Sequence, residues 1–238
     1  MRKTIFAEGE YYHLYNRGVD KRVVFTDKQE YERFLAYLYY MNDAERTRLT
    51  DDLRLTLEAK PREKGWKPLV AIGAYCLMPN HFHLYATPCV EGGISKFMQR
   101  VQTAYTMYFN ERHARSGALF QGTFKSQHVE RENYAKYLFS YIHLNPAKLK
   151  DVKWKERKAR DMKRLENFVA EYPYSSMGEY LRRDFKITNP EAFPEYFRTR
   201  SDFSAHITDW LSYAPFSRLN LEKGARGVHA ASTTPQGS

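Results

Sequence analysis

Two apolar segments separated by a short turn constrain the fold of this 238-residue chain most strongly. Residues 69–77 form a continuous apolar run, Met78-Pro79-Asn80 is a turn sequence, and residues 81–87 form a second run. Runs of this length, bounded by a Pro-Asn turn, predict a hairpin of two buried strands. We therefore expect the hairpin to lie at the centre of a sheet.

Strand and helix patterns precede and follow this hairpin. An aromatic strand is predicted at residues 11–15, a helix begins at Thr26-Asp27, and further helices are predicted at 93–113 and 133–145. A strand is predicted at 119–129, and Pro146 should end the last helix, because proline disfavours helical geometry in the residue before it. The order β-α-β-β-α-β-α predicts an α+β fold, with an antiparallel sheet covered by helices on one face.

The chain is basic, with 38 Lys+Arg against 28 Asp+Glu and a formal net charge of +10. This excess favours a polyanionic partner, above all a nucleic acid. No apolar run reaches the roughly 20 residues that cross a bilayer, and the first residues lack the apolar core of a signal peptide, so we expect a cytoplasmic protein. Two cysteines, Cys76 and Cys89, exclude a disulfide scaffold and a four-cysteine zinc site.

The excess charge is concentrated after the predicted hairpin and its flanking helices. Residues 148–164 carry nine basic and three acidic side chains. We therefore divide the chain into a domain at 1–147, a basic helical extension at 148–222 and a disordered tail at 223–238, which is rich in small and polar residues.

The tripeptide His81-Phe82-His83 is the first candidate for chemistry. Side chains at i and i+2 of a strand point to the same face, so the two imidazoles could bind one metal ion. A pair of polar residues on a solvated sheet face is the alternative interpretation.

Tyr141 and Asn145 share the inward face of the predicted helix at 133–145. A tyrosine there is ordinarily part of the core, and an asparagine can serve the last helical turn. Together with the two histidines they suggest a phosphoryl-transfer site, in which a metal polarises a phosphate and the tyrosine attacks phosphorus. The covalent intermediate would preserve the bond for later rejoining.

Five segments together resemble the single-tyrosine HUH transposases, named for a histidine–hydrophobe–histidine motif. They occur in the family's order: YHLYNRG at 12–18, AYCLMPNHFHL at 74–84, FQGTFKS at 120–126, YIHLNP at 141–146 and YPYSS at 172–176. The closest branch is the one associated with repetitive extragenic palindromes (REP). The resemblance covers roughly residues 11–181.

This resemblance implies a ferredoxin-like core and assigns roles to four residues. Tyr141 would be the nucleophile that forms a 5′-phosphotyrosine with single-stranded DNA, while His81, His83 and Asn145 would hold Mg²⁺ or Mn²⁺. The REP-associated branch recognises a DNA hairpin with a short flanking tag. Members of the family exist as swapped dimers and as monomers, so a monomer or a homodimer is expected here; the short connection at residues 130–132 favours a tyrosine that serves its own chain.

Several basic residues are candidate contacts for DNA phosphates, which position a strand without reading its sequence. They are Arg17, Lys96, Arg100, Lys125, Lys153, Lys155, Arg157 and Lys158. A solvated surface is the alternative for each of them. Two other functions stay open for the whole chain: a non-catalytic protein that binds hairpin DNA or RNA, and a structural zinc protein, although the latter needs a fourth ligand.

Overall fold

The computed structural model describes residues 5–45, 65–154, 159–194 and 199–212. The strands are β1 (Tyr12–Arg17), β2 (Val70–Met78), β3 (His81–Pro88) and β4 (Lys125–His128). The helices are α1 (Lys28–Tyr40), α2 (Gly93–Arg112), α3 (Glu132–Leu144), α4 (Ala147–Lys150), α5 (Ala159–Glu171), α6 (Met177–Arg182) and α7 (Arg200–Ser212).

The four strands form one antiparallel sheet in the order β2-β3-β1-β4. The predicted hairpin is confirmed: β2 and β3 pair directly, with Met78 opposite His81 at the turn. The α+β class and the ferredoxin-like sheet are therefore confirmed. β4 is shorter than the predicted strand at 119–129, because residues 119–124 bend away at Gly122, where φ is +70°, and only Phe120 forms a bridge, to Gly18.

Helices cover both faces of the sheet, which corrects the expectation of helices on one face. On one face, Leu14, Phe82 and Leu84 pack against α1 and α2. On the other face, Cys76, Met78 and Tyr85 pack against α3 and the helices that follow it. Every residue of β2 is buried, and a strand covered on both sides needs apolar residues at consecutive positions.

The basic extension packs on the second face rather than forming a separate core. Residues Leu165, Val169, Phe203, Ile207 and Leu211 belong to the same hydrophobic cluster as α3 and the sheet. The extension is helical at α5, α6 and α7, and the predicted tail at 223–238 lies outside the described residues.

α3 ends at Leu144, within one residue of the predicted end, but the backbone after it is not extended. Asn145 keeps helical angles (φ −56°, ψ −39°) although Pro146 follows it, and Pro146 is helical as well (φ −58°, ψ −23°). The amide of Lys148 donates to the carbonyl of Asn145 at 3.1 Å, so the chain continues directly into α4. Pro146 removes one donor from the helix but does not end the helical course of the backbone.

Candidate active site

His81 and His83 lie on the face of β3 that is turned towards α3. Their ring centroids are 5.0 Å apart with the planes at 85°, so the predicted same-face pair is confirmed in geometry. His83 is buried and His81 is half-buried. The pair is therefore not a solvated polar patch.

Hydrogen bonds fix the orientation of both rings. Nδ1 of His81 lies 2.6 Å from Oδ1 of Asn80, an acceptor, so Nδ1 carries the proton and Nε2 presents its lone pair. Nδ1 of His83 lies 2.9 Å from Nε2 of His13, a buried histidine on β1. With the proton on Nδ1 of His83, its Nε2 is a second lone-pair donor, and this atom has no hydrogen-bond partner among the described residues.

The surroundings keep both imidazoles neutral. Burial, followed by the charges of Arg17 and Lys148, lowers the pKa of His81 to about 4. Burial is also the main reason that the pKa of His83 lies well below its usual value, with smaller contributions from neighbouring histidines and the same two cations. Neutral imidazole is the form that binds a metal ion.

Tyr141 on α3 lies over His83 and His13 within the same chain. Its ring centroid is 5.4 Å from that of His83 and 6.4 Å from that of His13, both edge to face. The side chain is half-buried, so it is partly accessible from outside. The structure thus brings the predicted nucleophile and the predicted HUH histidines together.

Asn145 lies one helical turn beyond Tyr141 and is only 1% exposed. Neither its side-chain nitrogen nor its side-chain oxygen has a hydrogen-bond partner within the part of the chain that is described. Buried amides are almost always hydrogen-bonded, so two unsatisfied atoms indicate a missing partner.

These unsatisfied atoms fit a metal ion. Two neutral imidazoles and an amide oxygen leave coordination positions open for water or a phosphate oxygen, and carbonyl oxygens suit Mg²⁺ and Mn²⁺. Across residues 5–45, 65–154, 159–194 and 199–212, no group of three His, Cys, Asp or Glu side chains forms a metal site. A closed structural zinc site of those ligands is therefore absent from that part of the chain.

Two of the predicted DNA contacts lie on the site face of the sheet. Arg17 pairs with His81 across β1 and β3, and Lys125 pairs with Tyr15, which in turn pairs with His83. Directly paired residues point to the same face, so Arg17 borders His81, and Lys125 lies on the same face with Tyr15 between it and His83.

The remaining predicted contacts lie elsewhere. Lys96 and Arg100 are on α2, beneath the opposite face of the sheet, and donate to the carbonyls of Ala44 (3.3 Å) and Asp43 (2.6 Å). The structure does not bring them to the site. Lys153 is exposed in the turn after α4. Lys155, Arg157 and Lys158 lie outside the described residues.

Sequence reasoning missed two residues that contact the site. His13 is the hydrogen-bond partner of His83, and Lys148 lies with its Nζ 5.0 Å from the ring centroid of Tyr141. The even spacing of His13, Tyr15 and Arg17 along β1 was an available signal for the first. Lys148 comes seven residues after Tyr141, which is two helical turns. The expectation that the helix ends at Pro146 left no reason to place it near Tyr141.

Comparison with known families found one family whose profile matches part of this chain. Residues 37–145 match the profile of the family described as "Transposase IS200 like". This part of the chain is therefore similar to the IS200-like transposases, and the resemblance found in the sequence is confirmed at that level. The match supports a transposase as the functional class.

One solved structure and one negative result complete the comparison. The chain is similar to a REP-associated tyrosine transposase bound to a REP hairpin, at 15% identity and a TM-score of 0.48, over 83% of this chain and 98% of the other. No curated protein sequence matches the chain. Among the described residues, no helix has the length and apolar character to span a membrane.

Proposed function

We propose that this protein is a metal-dependent transposase that cleaves and rejoins single-stranded DNA next to a hairpin through a 5′-phosphotyrosine. One observation carries the proposal: Tyr141 lies over His83, whose Nε2 is unsatisfied, on the helix that also carries the unsatisfied amide of Asn145. A purely structural tyrosine would leave those buried atoms unexplained.

Tyr141 is the nucleophile in this proposal. Its oxygen attacks phosphorus, the bond between phosphorus and the 3′ oxygen breaks, and the leaving 3′ oxygen takes up a proton. One phosphodiester is exchanged for another, so the energy of the bond is kept. A free 3′ hydroxyl can then reverse the reaction and join a different strand. The phenolic proton leaves to water, because Tyr141 is partly accessible.

His81, His83 and Asn145 would hold Mg²⁺ or Mn²⁺ through two Nε2 atoms and the amide oxygen. When bound, the ion would polarise the scissile phosphate. The chain's own contribution is to hold the imidazoles neutral and oriented through Asn80 and His13.

The substrate class rests on the family resemblance and on charge. A hairpin with an unpaired flank is the expected ligand, and Arg17 beside His81 and Lys125 further along the same face of the sheet would contact its phosphate backbone. The protein would act on DNA in the cytoplasm, at the nucleoid. The closeness of Tyr141 to histidines of its own chain supports a nucleophile that acts in cis.

The test uses an end-labelled DNA hairpin with randomised single-stranded flanks, incubated with the protein and Mn²⁺. We expect a covalent adduct on a denaturing gel, and sequencing of the adducts gives the cleavage junction. Tyr141→Phe should abolish the adduct, whereas Tyr134→Phe, the same one-atom deletion on the same helix, should retain it.

An adduct formed by Tyr141→Phe would refute the assignment of the nucleophile. Hairpin binding that survives chelation without any adduct from the wild type would instead support the non-catalytic alternative.

A further inference from the structure

The helical backbone angles at Asn145 and Pro146 place Lys148 of α4 beside Tyr141, the proposed nucleophile. Lys148 follows Tyr141 by two helical turns, its Nζ lies 5.0 Å from the tyrosine ring centroid, and its side chain is half-buried. A half-buried lysine loses hydration, and it therefore favours a position near an anion. Its position beside a nucleophile is not required for packing, because Tyr141 already packs on Tyr137 and His83.

A second cation lies beside the histidines on the sheet. Arg17 on β1 is directly opposite His81 on β3, and its Nε is buried with no hydrogen-bond partner among the described residues. The guanidinium is a planar donor that matches two oxygens of a phosphate. An unsatisfied buried donor at this position indicates a ligand that supplies oxygen atoms.

The geometry places both cations near the same histidines. Arg17 pairs with His81 across β1 and β3, and Lys148 lies over the ring of Tyr141, whose centroid is 5.4 Å from that of His83. The neutral histidines are therefore flanked by two positive charges from different elements of the fold. Phosphodiesters carry the opposite charge and are the substrate class of the proposed reaction.

We propose that Lys148 and Arg17 form a two-cation clamp that holds the phosphodiester attacked by Tyr141. The clamp rests on the proposed function and adds catalytic contacts that do not depend on a metal ion. During attack, charge increases on the two non-bridging oxygens of phosphorus, and fixed cations stabilise that charge more than they stabilise the ground state. Lys148 supplies a point charge beside the entering oxygen, and Arg17 on β1 supplies a planar set of N–H donors.

The chain offers a matched control for Lys148. Lys150 is on the same short helix and also lies over an aromatic ring, with Nζ 4.8 Å from the ring centroid of Phe168 on α5. Its ring partner is Phe168 and not the nucleophile. A role for Lys148 that comes only from ring packing or from general basic charge would be shared by Lys150.

The experiment measures the single-turnover rate of adduct formation on the hairpin whose junction is known, with Mn²⁺. Lys148→Ala should lower the rate about 100-fold, which is typical for loss of one donor to a developing oxyanion. Lys148→Arg should recover most of that loss, and Lys150→Ala should react as the wild type does. The second substrate carries a methylphosphonate at the junction, which replaces a charged oxygen with a neutral methyl group.

On the methylphosphonate substrate, the rate of adduct formation by Lys148→Ala or by Arg17→Ala should be lower than that of the wild type by less than about 5-fold. The difference becomes small because the charge that the clamp stabilises is partly removed. An equal penalty on both substrates would show a structural role and overturn the clamp. A rate for Lys148→Ala equal to that of the wild type would do the same.

A measurement of DNA binding in the absence of cleavage distinguishes failure of the clamp from failure of the proposed function. In chelator, the slope of log Kd against log salt for the hairpin pool should fall by about 0.7 for Lys148→Ala, the value for one phosphate contact on a single strand. Suppose that the wild type forms no adduct, that Lys148→Ala lowers the slope and that Lys150→Ala does not. This outcome refutes the cleavage reaction and retains the anion site. Equal losses for both lysines contradict the clamp.

Discussion

At the residue scale, the proposed metal ligands depend on a histidine that is not itself a ligand. His13 is buried, and burial lowers its pKa to about 3, so it is neutral and can accept the proton on Nδ1 of His83. An outer partner of this kind fixes both the tautomer and the direction of a ligating imidazole. The ring of Tyr15 stacks on His13 at 4.8 Å and restricts its position.

Replacement of His13 should weaken metal binding without unfolding the sheet. We expect His13→Phe to lower the affinity for Mn²⁺ about 10- to 100-fold, measured by titration calorimetry, because the hydrogen bond that orients His83 is lost while the ring volume is kept. His128→Gln is the control, since His128 lies on β4 and contacts Tyr12 on the opposite face. Unchanged Mn²⁺ affinity in His13→Phe would show that His83 needs no such partner.

The residues found from the sequence and the residue missed differ in the kind of information they need. The spacing of His81 and His83 along one strand fixes their common face, and Tyr141 with Asn145 follows from the helical period. The contact of His13 with His83 is diagonal between two strands, and it depends on the register that places Tyr15 opposite His83. Register between distant strands is set by tertiary packing, which a local pattern does not contain.

At the scale of elements, the outer edge of β2 is covered by the chain that precedes α6. The amide of Leu77 donates to the carbonyl of Tyr174 at 2.9 Å, and the amide of Ser176 donates to the carbonyl of Tyr75 at 3.0 Å. Ser176 also links this edge to α3, since its Oγ accepts from the amide of Tyr75 and lies 2.8 Å from Nε2 of His143. The edge is thus closed to pairing with another strand.

Loss of that hydroxyl should destabilise the fold. Ser176→Ala leaves the amide of Tyr75 and Nε2 of His143 buried without this partner, and we expect a loss of about 1–3 kcal/mol in the free energy of unfolding, measured by urea denaturation. Ser126→Ala, on the half-buried edge strand β4, is the control and should cost less than about 0.5 kcal/mol. Equal losses in the two variants would show that the link to β2 contributes nothing of its own.

Element boundaries were predicted well where apolar periodicity was strong and poorly where a single residue was decisive. The start of α1 and the bounds of α2, β2 and β3 follow from their patterns within one or two residues. Pro146 follows the end of α3 as predicted, but the start of α4 at Ala147 was missed, because the helical angles of Asn145 and Pro146 oppose the local preference before a proline. Residues 119–124 misled because Gly122 permits a bend that apolar content does not reveal.

At the scale of the molecule, the sheet is a central layer between two groups of helices, and the second group comes largely from the charged extension. The basic composition of residues 148–164 suggested an arm separate from the core. Charged residues on the outer faces of α5 and α7 concealed the apolar stripes that pack on α3, since α5 alternates Leu165 and Val169 with charged positions.

Removal of the extension should therefore prevent folding of the remainder. We expect a chain that ends at Lys150 to lose its cooperative thermal transition, because α3 would cover the face of the sheet that carries Cys76, Met78 and Tyr85 only in part and its own apolar side would be exposed. In the full chain, Phe203→Ala should lower the free energy of unfolding by about 3–5 kcal/mol, since Phe203 is fully buried. A cooperative transition in the shortened chain would show that residues 1–150 fold independently.

The helical backbone angles of Asn145 and Pro146 also have a mechanical consequence. Tyr141 and Asn145 lie at the end of α3 and Lys148 lies on α4 directly after it, whereas His81, His83 and Arg17 lie on the sheet. The site is thus divided between the helices and the sheet. A displacement of α3 from the sheet would separate Tyr141, Asn145 and Lys148 from the histidines at the same time. A DNA strand attached to Tyr141 would travel with α3, while the histidines stay behind with the sheet.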